Sequence, residues 1–463
     1  MSAACGSSLS FSSAARLPLL HRAPEDELYR TRSERVRAGQ FLAAARALAT
    51  RLPEAPYVVN LCRNRLYVAV GFAAALLRGQ VSILAGDPTE QGLMALARRY
   101  PQAYVLAEAP DPRVALPVHI VSFEPERWQG DDPPPLLAAD QLAALVLTSG
   151  STGEPVPHAK HWGSLVARTV TAAERFRFEP AAPAGIVGTV PSQHMYGLES
   201  TLLLPWHAPA ASFCGAAFYP SDIVAALQTM REPRWLVTTP FQLRALLASG
   251  ASLAPLAGII SATAPLSADQ ADTAERRWQT KVFEIFGATE VGAIATRRTT
   301  AGEEWQTYSG ITLAPEEGGV RVFAEGAPPG RLTDAIALVN PTRFRLLGRR
   351  EDLIKRAGKR ASLAGLTQAL MEIEGVEDGV FVAPENLDSE PTARLTAYVV
   401  APTRSVAEIR AALSQKIEPA FLPRRIIKLE RLPRNATGKL PRQELLALSA
   451  RFGDPSQTAD SAR

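Results

Sequence analysis

Ala143-Ala144-Leu145-Val146-Leu147-Thr148-Ser149-Gly150-Ser151-Thr152-Gly153 is the stretch on which the reading of this chain turns. An unbroken apolar run enters a Ser/Thr/Gly turn, the pattern of a buried strand feeding a polar loop. Hydroxyl side chains and glycine-permitted backbone amides in such a turn can wrap the oxygens of a polyphosphate with little steric obstruction. No GxxxxGK[ST] occurs, so this is not the phosphate loop of the P-loop NTPases. A bland Ser/Gly turn would carry the same letters, and its meaning depends on what surrounds it.

Upstream of the loop, short apolar runs alternate with segments of helical period: PYVVNL (56–61), VAVGFAAALL (68–77), VSIL (81–84), GLMALARR (92–99) and AYVLAE (103–108). That is α/β patterning. Apolar runs continue at Ile186 to Val190, Trp235 to Val237 and Gly258 to Ile260. Near Gly348 the texture changes to basic clusters, a helix-like LTQALMEI (366–373), a strand-like RLTAYVVA (394–401) and a helix-like VAEIRAALSQKI (406–417). The expectation is therefore a large α/β domain over 1–347 with parallel-sheet layers, a small α+β domain over 348–452, and a polar, disordered tail over 453–463.

Composition sets the outer limits. The 463 residues are 46% hydrophobic and 21% charged, with a mean hydropathy of −0.01, as in ordinary globular proteins. The longest apolar stretch, Leu66 to Leu77, stops at Arg78 and falls short of the roughly 20 residues a membrane-spanning helix needs. It reads as a buried helix. Cys5, Cys62 and Cys214 are widely spaced, which suggests neither disulfides nor a thiolate zinc site. The N-terminus lacks a basic region followed by an apolar core, so a cytoplasmic start is expected. A net charge of +4 gives no reason to invoke nucleic acid.

Three further segments carry chemistry. In Glu284-Ile285-Phe286-Gly287-Ala288-Thr289-Glu290-Val291-Gly292, a carboxylate can hold Mg2+ while the threonine hydroxyl reaches a phosphate. The same letters also read as a helix start with a capping threonine. Leu347-Gly348-Arg349-Arg350-Glu351-Asp352-Leu353-Ile354-Lys355 and Leu432-Pro433-Arg434-Asn435-Ala436-Thr437-Gly438-Lys439-Leu440 are basic, and each alone reads as a solvated face.

Together, in this order, the four segments resemble the core motifs of the adenylate-forming superfamily, which includes acyl-CoA synthetases, aryl-CoA ligases and adenylation domains. The resemblance spans roughly residues 50 to 446. It implies a multi-sheet α/β domain with a small mobile α+β lid, and ATP with Mg2+ as the activating pair. By the same resemblance Thr148, Ser149, Gly150, Ser151, Thr152 and Gly153 would hold the triphosphate, and Gly287, Ala288, Thr289 and Glu290 would serve the α-phosphate and the metal. Asp334 and Arg349 look like ribose contacts, Glu351 like the hinge, and Lys439 like the catalytic lysine, which neutralises charge developing at phosphorus. Val190 to Leu198 is similar to the acyl-pocket motif, with His194, Tyr196 and Gly197 at the carboxylate site, although His194 also reads as a core histidine. Ala262 and Thr263, within Ser261 to Leu266, resemble the adenine-side loop.

Two departures stand out. The family's loop lysine is replaced in Thr152-Gly153-Glu154-Pro155-Val156, leaving Lys160, with His158 and His161, as the nearest candidates for its charge. The acidic helix start after the IKxxG-like segment becomes Ser362-Leu363-Ala364-Gly365. With the compact length and the passage Asn60 to Arg65, these features look like the aryl polyene pathway ligases, which are similar to hydroxybenzoate-activating enzymes that load an acyl carrier protein. The expected partners are thus a small carboxylic acid and a holo acyl carrier protein, with no nucleic acid and no membrane. A synthetase using free coenzyme A and a catalytically inactive homologue remain the alternatives.

Overall fold

The computed structural model describes residues 15–84, 90–123, 128, 130–149, 155–215, 217–324, 327–332, 334–349, 353–356, 359–384, 395–435, 438, 440 and 442–452. By their contacts these residues fall into two units. The larger takes in the chain up to Leu332 together with Leu338–Phe344, and the smaller takes in 334–337 and the chain from Arg345 onward.

The larger unit is built on parallel sheets, as the alternation of apolar runs and helices implies. In one sheet Tyr57–Asn60 lies between Val81–Leu84 and Ala103–Ala107, all parallel, and Leu142–Ser149 joins parallel beside Val81–Leu84. In the other, the parallel run passes from Val282–Ala288 through Gly258–Ser261, Arg234–Thr238, Ala184–Gly188 and Ala210–Phe213 to Glu27–Arg30. Parallel strands buried on both faces need continuous apolar runs, and Ala184–Gly188 and Gly258–Ser261 are buried throughout. The apolar stretch ending at Leu77 is the helix Arg65–Leu77, N-capped by the Asn64 side chain and buried along nearly its whole length. Around it packs a cluster that includes Phe41, Trp162 and Trp206. Trp206 donates to the Tyr29 hydroxyl at 2.6 Å, which in turn donates to the Leu202 carbonyl at 3.0 Å.

The smaller unit has its own core. Asp378–Val382 pairs antiparallel, and Arg425–Lys428 parallel, with Thr396–Val400. Helices Leu363–Met371 and Val406–Lys416 contribute Leu366, Leu370, Ile409 and Leu413 to the same apolar cluster. Where the motif expects an acidic helix start, Ser362 does the work of a cap: its Oγ accepts from the Gly365 amide at 3.0 Å, a contact worth about 1 kcal/mol. Ser405 and Glu408 form a reciprocal capping box on the second helix.

Candidate active site in the larger unit

Thr148 and Ser149 end the strand Leu142–Ser149; Gly150, Ser151, Thr152 and Gly153 lie outside the described residues. Beyond the loop the chain returns as a second strand, Pro155–His161, antiparallel to the first, with Val156 opposite Thr148 and Lys160 opposite Ala144. It forms the edge of its sheet, which is where prolines at 155 and 157 can be accommodated. Lys160 is 5% exposed. Its Nζ donates to the main-chain carbonyl of Glu290 at 3.3 Å, so the strand that follows the Ser/Thr/Gly loop is fastened to the second motif.

That second motif is not a helix start. Val282–Ala288 and Gly292–Arg298 are antiparallel strands, and Thr289, Glu290 and Val291 form the turn between them. The pairing is close enough that a side chain on Gly287 would meet the Gly292 carbonyl at 2.4 Å, and Gly292 itself has a φ of 76°. Thr289 is half-buried and Glu290 exposed at the tip, beside the half-buried Ala288. Burial lowers the pKa of the Lys160 ammonium, against the pull of the Glu199 and Glu290 carboxylates. Burial also lowers the His158 imidazole, with Glu290 working in the opposite direction and Lys160 adding to the drop. Hence His158, Lys160 and Glu290 share one electrostatic neighbourhood.

His194 enters by a different route. The parallel strand Ala184–Gly188 leads to Val190 and Ser192, and a buried arginine holds this exit in place. Arg65 donates to the carbonyls of Gly188 (3.1 Å), Val190 (3.0 Å) and Phe213 (2.5 Å) and to Ser192 Oγ (3.1 Å). A buried guanidinium is tolerable only when its donors are filled, and here carbonyl oxygens fill them. His194, half-buried, precedes the short helix Met195–Gly197. Gly197 is obligatory, because a Cβ there would lie 2.0 Å from the Pro191 carbonyl oxygen. The Tyr196 hydroxyl is fixed on the parallel sheet by the carbonyls of Ile260 (2.9 Å) and Thr238 (3.2 Å).

Ala262 and Thr263 follow the strand Gly258–Ser261, and Thr263 has a φ of 82°, a strained value for a β-branched residue. The turn is anchored at Leu266, whose amide donates to Glu284 Oε1 at 3.0 Å; the same carboxylate accepts from Arg297 (2.5 Å) and Thr299 (2.7 Å). Asp334 opens the strand Asp334–Asn340 and Arg349 closes Arg343–Arg349, both in the smaller unit. Glu351 and Lys439 lie outside the described residues. Just before Lys439, Arg434 grips Asp378 at 2.7 and 2.6 Å and donates to the Gly438 carbonyl at 2.7 Å.

Several of these residues escape a reading of the sequence alone. Arg65 and Arg434 look like ordinary surface arginines in a one-dimensional chain. Glu199 gives the better signal, as an acid interrupting the apolar run from Leu198 to Trp206. Among the described residues no group of three or more His, Cys, Asp or Glu side chains could hold a metal unaided.

Residues 42–322 match the AMP-binding enzyme family. The 4-coumarate–CoA ligase of Rhodobacter capsulatus is 29% identical over 285 residues, covering 61% of this chain and 70% of that protein. Among solved structures, o-succinylbenzoate coenzyme A synthetase from Bacillus subtilis in complex with AMP aligns with a TM-score of 0.79 at 18% identity, over 93% of this chain and 98% of the other. ATP-bound MatB from Rhodopseudomonas palustris aligns with a TM-score of 0.75 at 17% identity, over 92% and 96% of the two chains. With the fold shared along nearly its whole length and the family match spanning more than half of it, the chain belongs to the AMP-binding enzyme family and is an AMP-forming acid–thiol ligase.

Proposed function

We propose that the acid is aromatic, of the hydroxybenzoate class, and that the acyl group passes to the phosphopantetheine thiol of an acyl carrier protein. The observation that carries the adenylation half is the Lys160 contact with Glu290, because it gathers the strand after the phosphate loop and the Thr289–Glu290 turn into one place. An acid carboxylate attacks the α-phosphorus of ATP, the bond to the bridging oxygen breaks, and pyrophosphate leaves. A thiolate then attacks the carbonyl carbon of the acyl adenylate and AMP departs. In this reading Thr289 serves the α-phosphate, Asp334 and Arg349 the ribose, and Lys439 the charge that develops on phosphorus. Glu351 is the hinge and His194 closes the carboxylate site. Magnesium fits as a partner of Glu290, since it needs only one or two carboxylates beside the phosphates, and it would neutralise polyphosphate charge. The aromatic preference is supported by relatives named for 4-coumarate and o-succinylbenzoate.

For the acceptor, the supporting feature is basic charge on the smaller unit, where Arg424, Arg425, Lys428 and Arg431 are exposed. Complementary charge speeds encounter with an acidic carrier protein and makes the rate strongly salt-dependent. Free coenzyme A is the second reading, favoured by the acceptor in the names of the same relatives.

Two measurements test the proposal. Acid-dependent exchange of pyrophosphate into ATP, over benzoates, cinnamates and fatty acids, should be greatest with aromatic acids; no exchange with any acid would make the chain an inactive homologue. Transfer to a holo carrier protein should exceed transfer to coenzyme A in specificity constant and weaken when Arg424 and Arg425 are both changed to Glu. A better rate with coenzyme A, indifferent to that reversal, would replace the carrier protein with coenzyme A.

A further inference from the structure

The connection between the strand Tyr57–Asn60 and the helix Arg65–Leu77 takes part in no step above, yet it is tied to the chain that leads to His194. Arg65, 8% exposed, spreads its guanidinium over the carbonyls of Gly188 and Val190 and the hydroxyl of Ser192, three alternate residues on the way from the strand Ala184–Gly188 to His194. A second tie follows at once, because Gln193 Nε2 donates to the Cys62 carbonyl at 2.7 Å. Thr189 faces the other way. Its amide donates to the Val237 carbonyl at 2.9 Å, and its hydroxyl lies 3.0 Å from that of Thr238. The approach to His194 is thus held from both sides, at the carboxyl ends of two parallel-sheet strands, where open α/β sheets place their ligands.

The connection is itself firmly set. Asn60 Oδ1 accepts from the Cys62 amide at 3.1 Å, and its Nδ2 donates to the Val68 carbonyl at 3.3 Å. The Asn64 amide donates to Glu108 Oε1 at 2.7 Å, at the end of the neighbouring strand Ala103–Ala107. The acceptors of Arg65 are neutral oxygens, and burial lowers the pKa of its guanidinium. A cation taken out of water without a carboxylate beside it is a costly way to fill space. What arginine supplies that an apolar side chain cannot is a planar fork of donors at fixed angles.

We propose that Arg65 and Gln193 are positioning residues of the acid site: they hold residues 188–193 against the connection 60–65 and so set where His194 meets the substrate carboxylate. Neither acts on the reacting atoms. Tyr196 is fixed separately, by the carbonyls of Ile260 and Thr238, so loosening Arg65 or Gln193 shifts His194 relative to Tyr196. Among the described residues their bonds reach neither the strand Leu142–Ser149 nor the hairpin that bears Thr289, so the effect falls on the acid and not on ATP. The inference rests on the placement of the acid site at His194, Tyr196 and Gly197 in the reading above.

Pyrophosphate exchange, run with whichever benzoate, cinnamate or fatty acid the native chain uses best, yields separate KM values for acid and ATP. A KM does not depend on the fraction of a variant that folds. Arg65→Met should raise the KM for the acid about tenfold or more and Gln193→Met about threefold, with the KM for ATP changed less than about twofold in either. Arg65→Lys keeps the charge but loses the fork, and should resemble Arg65→Met. Should Arg65→Met fail to fold, Gln193→Met, which removes a single bond, decides. A lower kcat with both KM values unchanged, or a proportional rise in both, would overturn the proposal and leave the pair as scaffold. Native behaviour in Arg65→Lys would overturn it in favour of charge alone. His194→Ala separates the two readings: no effect on the acid would bring down the placement of the acid site and this inference with it. A raised acid KM in His194→Ala, with none in the Arg65 and Gln193 variants, would overturn the positioning role alone.

Discussion

Lys160 illustrates how far a single residue can be read in advance. Its position behind the phosphate loop suggests a substitute for the family's loop lysine, but the side chain turns inward and donates to the Glu290 carbonyl. If the amine acts by holding that turn, Lys160→Met should lower the kcat of pyrophosphate exchange by at least about tenfold while changing ATP affinity less, because it misplaces groups needed in the transition state. A rise in the KM for ATP with kcat preserved would instead return Lys160 to the phosphates. A second residue gives a pH signature. Burial, reinforced by nearby His21, holds His207 at a pKa of about 3 against an ordinary 6.5. Above 6.5 the ring is neutral whether folded or unfolded and contributes nothing. Below it the unfolded chain takes up a proton that the folded one refuses, so stability is lost as pH falls toward 3, by up to about 1.4 kcal/mol per pH unit. Urea unfolding between about pH 7 and about pH 5 should thus show a steeper loss in the native chain than in His207→Gln. Equal slopes would mean that His207 titrates normally. The burial of neither residue is legible in one dimension, since it depends on which strands and helices meet.

At the level of elements much more was legible. The apolar runs at Ile186, Trp235 and Gly258 became parallel strands because nothing interrupts their period, and Leu66 to Leu77 became a buried helix. The Glu284–Gly292 segment read either as a metal- and phosphate-binding motif or as a helix start with a capping threonine. Antiparallel pairing of Val282–Ala288 with the next strand, Gly292–Arg298, settled it as a hairpin, which single-residue propensity does not encode. The turn leading to Lys439 makes a testable element of its own, anchored by Arg434 between Asp378 and the Gly438 carbonyl. Lys439→Ala should depress acyl-adenylate formation by several orders of magnitude yet spare thioester formation from supplied acyl adenylate. Arg434→Met should act in the same half-reaction, more weakly, because it loosens the turn and leaves Asp378 without its guanidinium; it should also lower the thermal stability of the smaller unit. Equal losses in both half-reactions would remove Lys439 from the adenylation step.

For the whole molecule, the α/β architecture was readable because its strands are apolar along their lengths and its motifs fall in one order. The path of the chain between units was not readable from composition, which changes only near Gly348. Residues 334–337 belong by their contacts to the smaller unit, Leu338–Phe344 to the larger, and the chain from Arg345 to the smaller again. This has a practical consequence for anyone who wishes to exchange the smaller unit between relatives. One cut after Phe344 does not part the two units, because it leaves 334–337 behind with a body to which that stretch does not belong. A transplanted smaller unit must either bring its own version of 334–337, spliced in ahead of the returning segment, or meet a foreign strand where its own should be.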